Sequence, residues 1–330
     1  MTVDGVSADD NTQAGVAVLN AAIFPDTVGV AHNWVFSRAG SANFSVTLTT
    51  ANITKVPVLT RSVVTALDGK KVGYMVFNDH LATAESQLVE AVNYFAAQGI
   101  DDLVLDVRYN GGGYLYIASE LAYMIAGPTP TQGKVFEQLV FSDKRSADTN
   151  SAGARTPFYN TSDAGATFPS LNLSRVYVIA QAGTCSASEA VINGLRGVNI
   201  DVHLIGGTTC GKPYGFTAKD NCGISYFPIE FKGANAKNFG DYADGFVPGG
   251  AGATGVPGCV VADDLTKPLG DRTEGMLAMA LGHISNGACA PLVSMAHPLS
   301  AGRSAVPAVA EPSLMLRNPA RENRILVPRP

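Results

Sequence analysis

The chain has 330 residues, 46% hydrophobic and 15% charged, enough for one large core or two domains. Its 23 basic and 28 acidic residues leave a net charge of −5, which argues against nucleic acid and anionic membrane surfaces as partners. No apolar run reaches the length of a membrane span, and no internal repeat is found.

Residues 1–60 read as a small β-rich unit. It has a short apolar helical stretch at 14–23 and a half-buried strand at 43–49, where Phe44, Val46 and Leu48 alternate with Ser45 and Thr47. A second region, 61–290, begins with a strand over 72–77. A helix over 84–98 follows, with Leu88, Ala91, Val92 and Phe95 on one face and Gly99 at its end. The uninterrupted apolar strand 103–107 suits a sheet covered on both faces, and a helix over 115–125 comes next. Residues 145–171, rich in Ser, Thr, Ala, Gly and Asp, are expected to form a long surface loop, a candidate lid. The strand-helix-strand pattern then returns, with strands at 176–180 and 202–205. This alternation predicts an α/β layer on a mostly parallel sheet. A hairpin near 213–230, a Gly/Pro-rich stretch at 247–258 and a helix at 273–284 complete the region. The Ala/Pro-rich tail, 291–330, reads as extended or disordered as far as Ser313.

Chemistry concentrates in two places. Gly183-Thr184-Cys185-Ser186-Ala187-Ser188-Glu189 forms a small-residue turn between a strand and a helix. Gly211-Lys212 is expected at the carboxyl end of the next strand, beside Ser186. A serine needs a base to become a nucleophile, and a buried lysine serves when its charged form is disfavoured. The second place is Asp106-Val107-Arg108-Tyr109-Asn110-Gly111-Gly112-Gly113, which ends a strand and opens a helix. Its glycines allow a sharp turn and present N–H groups to an anion, including the oxyanion of an acyl-transfer intermediate. A phosphate loop is the weaker reading, because both the Gly-x-Gly-x-x-Gly spacing and the Gly-Lys-Ser/Thr ending are absent.

Three motifs, 106–113, Ser186-Ala187-Ser188-Glu189 and Thr208-Thr209-Cys210-Gly211-Lys212, resemble the carboxy-terminal processing (tail-specific) serine peptidases and their tricorn-core relatives. The resemblance covers roughly residues 60–285. It implies an α/β fold built as a crotonase/Clp-protease-like stack of β-β-α units, with no cofactor and no metal. It places Ser186 on the nucleophile and Lys212 on the general base. Ala187 with Gly112 or Gly113 falls on the oxyanion hole, and Glu189 steadies the elbow. Two departures stand out. Many members have a glutamine four residues after the lysine where this chain has Phe216, so another group, such as Thr208, must hold Lys212. The serine-to-lysine interval is also one residue longer than the family's. Residues 1–60 resemble the later part of a PDZ domain, whose carboxylate-holding loop would precede Met1. On that reading the chain is truncated or does not select substrates by their tails. The simpler reading makes residues 1–60 a cap on the catalytic core.

The implied function is a serine hydrolase cleaving peptide bonds through a Ser186–Lys212 dyad and an acyl-enzyme. A carboxylesterase acting on short acyl esters is the alternative, and a non-catalytic scaffold a remote third. His80 is placed near the site as a partly exposed loop residue, with a supporting role weighed against none. None of the five cysteines forms a C-x-x-C pair, which argues against zinc. Cys210 and Cys222 flank a turn, and Cys259 and Cys289 flank a helix, so two disulfides with Cys185 free are expected. The alternative is five buried thiols. Two disulfides point to a periplasmic or secreted protein, although the opening Met1-Thr2-Val3-Asp4-Gly5 is no leader, which suggests a trimmed chain or a gene fragment. Peptide or ester is the expected partner, and the oligomeric state is open.

Overall fold

The computed structural model describes residues 1–37 and 40–289, together with the backbone pairing of Arg324–Ile325. The chain divides into two compact units, Met1–Lys55 and Val56–Pro330. The first holds β1 (Thr2–Val3), β2 (Val6–Ser7), α1 (Gln13–Ile23), β3 (Ala31–Phe36) and β4 (Phe44–Thr49). Its four strands form an antiparallel sheet in the order β2-β1-β3-β4. The Thr12 hydroxyl caps α1 by accepting from the Gly15 N–H at 3.1 Å.

The second unit opens with β5 (Val58–Thr65), β6 (Lys71–Phe77), α2 (Ala84–Gln98) and β7 (Asp102–Asp106). Then come β8 (Gly113–Tyr114), α3 (Leu115–Ala126), α4 (Pro128–Thr131), β9 (Val135–Phe141), α5 (Ser146–Thr149) and β10 (Arg155–Pro157). They are followed by β11 (Arg175–Ala180), α6 (Ala187–Gly197), β12 (Asp201–Gly206), β13 (Tyr214–Phe216), the hairpin β14 (Lys219–Asn221) and β15 (Ile224–Tyr226), and β16 (Phe231–Ala234). The last elements are β17 (Val247–Pro248), β18 (Gly255–Val256), β19 (Gly258–Val260), α7 (Gly275–Asn286) and β20 (Arg324–Ile325).

The central sheet runs β19-β12-β11-β7-β6-β5, parallel throughout except for the antiparallel edge strand β5. Both faces are covered. Met75, Phe77, Leu103 and Leu105 pack with α2, α3 and α6, while Tyr74, Val76, Val104, Tyr177 and Ile179 pack under α7. That two-sided burial explains why β7 is an unbroken apolar run. Parallel strands align their carboxyl ends, so the turns after β6, β7 and β11 gather at one edge, where such folds place their ligands. The architecture is a mixed α/β fold with several sheets.

Of the second large sheet, β10-β9-β16-β13-β20-β8, the sequence reading held only the hairpin near 213–230, which the structure has as β14–β15 nested between β13 and the antiparallel β16. Its strand β9 carries Glu137 buried among apolar neighbours, which breaks the alternation that would have marked it. The expected long loop at 145–171 is also more structured than read. It contains α5 and β10, and β10 pairs antiparallel with β9. Ser119 of α3 holds this segment down, donating to the Pro157 carbonyl at 2.6 Å and accepting from the Tyr159 N–H at 2.9 Å. The tail reading at 291–330 lies outside the described residues, apart from β20.

Candidate active site

Strand β11 ends at Ala180, and a tight turn leads to Ser186, the residue that caps α6. Ser186 is fully buried, with φ +56° and ψ −111°, a conformation that costs a non-glycine residue about 1–3 kcal/mol. Strain of this kind at a strand-to-helix turn is how nucleophile elbows push a hydroxyl out of the local chain path. The turn is laced to the Gly-rich segment. The Thr184 hydroxyl donates to the Val107 carbonyl at 2.8 Å, and the Asn110 carbonyl accepts from the Cys185 N–H at 3.1 Å and the Ser188 hydroxyl at 3.0 Å.

Lys212 is not at the carboxyl end of β12, as expected, but six residues beyond it, just before β13. Glu189 closes that distance. Its fully buried carboxylate accepts from the Ser186 N–H at 3.0 Å and the Lys212 N–H at 2.8 Å on one oxygen. The other oxygen accepts from the Gly211 N–H at 2.8 Å and the Thr209 hydroxyl at 2.6 Å. The backbone nitrogens of Ser186 and Lys212 are therefore separated by a single shared acceptor. Thr209 also accepts from the Phe246 N–H at 2.8 Å, whereas Thr208 is exposed. The hydroxyl built into this junction is thus that of Thr209. Phe216 is buried and stacks edge-on with Phe227, so it adds no polar group near Lys212.

A disulfide, Cys185–Cys210, joins the residue before Ser186 to the segment carrying Lys212. This corrects the expected Cys210–Cys222 pair and free Cys185, since Cys222 is the exposed free thiol. The sequence reading weighed only neighbours along the chain, while the parallel pairing of β11 and β12 brings the segments after them together. The expected Cys259–Cys289 bridge is present.

Gly112 lies against the elbow. A Cβ built on it would sit 2.9 Å from the Ser186 Cβ and 3.0 Å from both the Ala187 nitrogen and the Cys185 carbonyl oxygen, and its φ of +108° suits glycine alone. Its N–H donates to the Asn110 side-chain oxygen at 3.0 Å. Gly113 bridges in parallel to His80, held by His80 N–H to the Gly112 carbonyl at 3.1 Å and Tyr114 N–H to the His80 carbonyl at 2.8 Å. A strand residue points its own N–H and C=O to one side and its neighbours' to the other, so Gly113 turns its N–H away from His80.

His80 is fully buried, not partly exposed. Its Nδ1 donates to the Asn110 side-chain oxygen at 3.1 Å, and the Asn110 amide donates to the Phe77 carbonyl at 2.9 Å. Burial pulls its pKa down to about 4, against the weaker opposing effect of the Asn110 bond, so the ring is neutral near pH 7. Asn110 thereby ties His80 and Gly112 to the end of β6. Sequence reasoning passed over it, although it sits inside the Gly-rich motif.

Arg108 went unassigned in the same motif. Its buried guanidinium bonds Asp106 (2.8–3.1 Å), Glu274 (2.9 and 3.1 Å) and Asp263 (2.7 Å). Tyr74 adds its hydroxyl to Asp106 at 2.7 Å. Burial opposes the charge on Arg108, but the Glu274 and Asp106 bonds outweigh it and raise its pKa. Burial also raises that of Asp106, in spite of Arg108. Beside this cluster a cleft of about 920 Å³ opens, lined by Asn78, Asp79, Tyr109, Gly111, Gln181 and the Cys185–Cys210 bridge among others. Among the described residues, one His/Cys set stands close enough to hold a metal, Cys259 with His283 and Cys289, and its two cysteines are disulfide-bonded.

The structure thus brings together a strained serine at a strand-to-helix elbow, a glycine turn packed on it, and a lysine whose backbone is tied to that serine through one carboxylate. Residues 71–219 match the model described as peptidase family S41. The carboxyl-terminal-processing protease of Picosynechococcus sp. (strain ATCC 27264 / PCC 7002 / PR-6) is 35% identical over 79 residues. That match spans 23% of this chain and 19% of the relative's length. The structure of a candidate S41 protease from Bacteroides fragilis NCTC 9343 superposes with a TM-score of 0.64 at 24% identity, covering 87% of this chain and 72% of that one, a likeness of fold.

Proposed function

We propose that the chain is a serine peptidase in which Ser186 attacks the peptide carbonyl and Lys212 is its general base. The observation that carries this reading is the Glu189 carboxylate, which binds the backbone N–H groups of both residues through one oxygen. In the reaction neutral Lys212 takes the Ser186 proton, the acyl-enzyme forms, and the lysine protonates the departing amine. Water, deprotonated by the same lysine, then releases the acyl group. The Ala187 N–H at the start of α6 and the Gly113 N–H are the oxyanion donors. The Gly112 N–H is already given to Asn110, which shapes the turn. Glu189 and Thr209 position the dyad, and His80 supports the turn from beneath. The S41 match and the family resemblance support peptides as substrates, while no comparison points to a carboxylesterase. Two disulfides support an oxidising compartment.

The test is turnover of an unfolded protein by Ser186→Ala and Lys212→Ala, with folding checked by circular dichroism. Each loses activity by several orders of magnitude, because the two act as one unit. In the wild type kcat/KM rises toward alkaline pH. Cleavage surviving in Ser186→Ala, with contaminants excluded, overturns the mechanism. Selection is assigned to the cleft lined by Tyr109, Gly111 and the Cys185–Cys210 bridge, so amidating a substrate's C-terminus changes kcat/KM little. A strong preference for the free carboxylate would assign residues 1–55 to tail recognition.

A further inference from the structure

Strand β20 lies between β13 and β8, parallel to both, with Arg324 opposite Gly215 and Gly113, and Ile325 opposite Phe216 and Tyr114. Both flanking strands belong to the candidate site. Gly113 follows the glycine that packs on Ser186, and Gly215 lies three residues after Lys212. Gly113 is bridged to His80 on one edge, so the N–H assigned to the oxyanion faces the other edge, where Arg324 pairs. Without β20, β8 and β13 each present an unpaired edge, and a single extended peptide fills the slot between them.

We propose that the C-terminal segment through Arg324–Ile325 is a tethered occupant of this slot, which holds the backbone beside Ser186 and excludes an extended peptide substrate until it is displaced. The proposal rests on the peptidase reading for its kinetic consequence, but not for the occupancy itself. The slot is lined by backbone on both sides and binds through main-chain pairing, so it accepts peptides of varied sequence running in the same direction as β8 and β13. Only the substrate's reach into the cleft then adds side-chain selection. A tether gives the tail an effective concentration on the order of 1 mM. If the free peptide binds with a Kd of about 0.1 mM, the tail raises the apparent KM about tenfold.

The experiment compares the full chain with Arg324→Pro/Ile325→Pro, which removes two backbone N–H groups from the strand. In a Ser186→Ala background, hydrogen exchange is expected to be slow at 324–325 and at 113–114, and fast in the proline variant. A labelled synthetic peptide of residues 318–330 binds the proline variant about tenfold more tightly than its parent. With Ser186 restored, the proline variant shows KM lowered about tenfold at unchanged kcat. Random-coil exchange of the tail in the parent, or equal peptide binding by both, overturns the proposal. Protection that disappears on dilution also overturns it, by placing the tail in a second copy. Slow tail exchange in a chain with no turnover supports the occupancy and refutes the peptidase reading alone. Turnover that needs Ser186 and Lys212 beside a freely exchanging tail refutes the tail proposal alone.

Discussion

Replacing Glu189 with glutamine changes one atom and disrupts the junction between Ser186 and Lys212. The carboxylate accepts four hydrogen bonds, two on each oxygen, in a fully buried position. An amide keeps one oxygen and turns an NH2 group toward two donors, so whichever way it is placed two bonds are lost and two donors are buried without acceptors. Bonds to charged groups contribute about 1.5–3 kcal/mol each, which gives a loss of about 3–6 kcal/mol. That is a large part of the stability of an ordinary domain. Urea unfolding followed by fluorescence measures it as a lower midpoint at unchanged slope. Thr209→Val removes one bond to the carboxylate, about 1.5–3 kcal/mol on the same reasoning, and costs more because it also leaves the Phe246 N–H without its acceptor. Glu189→Gln unfolding within about 0.5 kcal/mol of the wild type, a change typical of neutral surface substitutions, would refute the account of this residue as the clamp between the two segments.

Three further outcomes are expected. Cys185→Ala/Cys210→Ala reopens a loop with a sequence separation of 25 and lowers stability by about 3.5 kcal/mol in denaturant melts, so a double variant as stable as the parent argues against the bridge. His80 has a folded pKa of about 4 against 6.5 unfolded, so the unfolded chain binds its proton first. Its contribution is complete above pH 6.5 and declines toward pH 4, by about 2.5 kcal/mol at pH 4.5, and His80→Gln should lose that slope in urea melts at several pH values. Gly112→Ala places a methyl against Ser186 and strains the backbone, and kcat/KM falls at least about 100-fold. Gly165→Ala, also at positive φ but with open space around it, costs stability only, and similar kinetics in the two variants would undo the close-approach argument.

The central layer was legible because its signals are local. The helix over 84–98 shows its apolar face and its glycine stop in the sequence, and β7 and β11 show the apolar runs of strands covered on both sides. The Ser186 elbow and the glycine turn were readable because small residues at a strand end have few other uses. What escaped depends on contacts between distant segments. Cys185 meets Cys210 only through the pairing of β11 with β12, and His80 is buried only because the glycine turn folds onto it. The four donors on Glu189 come from two segments, and Thr209 differs from Thr208 only in which way the chain turns it. Strand β9 hid because a buried glutamate interrupts its pattern, and β20 because a two-residue strand has no sequence signature.

Arg108 also constrains the order in which the molecule assembles. Its partners are Asp106, two residues away, and Asp263 and Glu274, separated from it by 155 and 166 positions. Contacts of such separation close late, after the chain between them has collapsed. During synthesis the elbow, the glycine turn and Lys212 all leave the ribosome before Asp263 and Glu274 do, and until those two follow the guanidinium beneath them has only Asp106 to neutralise it. The carboxyl-terminal third of the domain is therefore an assembly requirement for chemistry encoded well upstream. A nascent chain stalled before Glu274 carries every residue of the proposed dyad on an unfinished base, which delays any proteolytic activity until the whole domain has emerged.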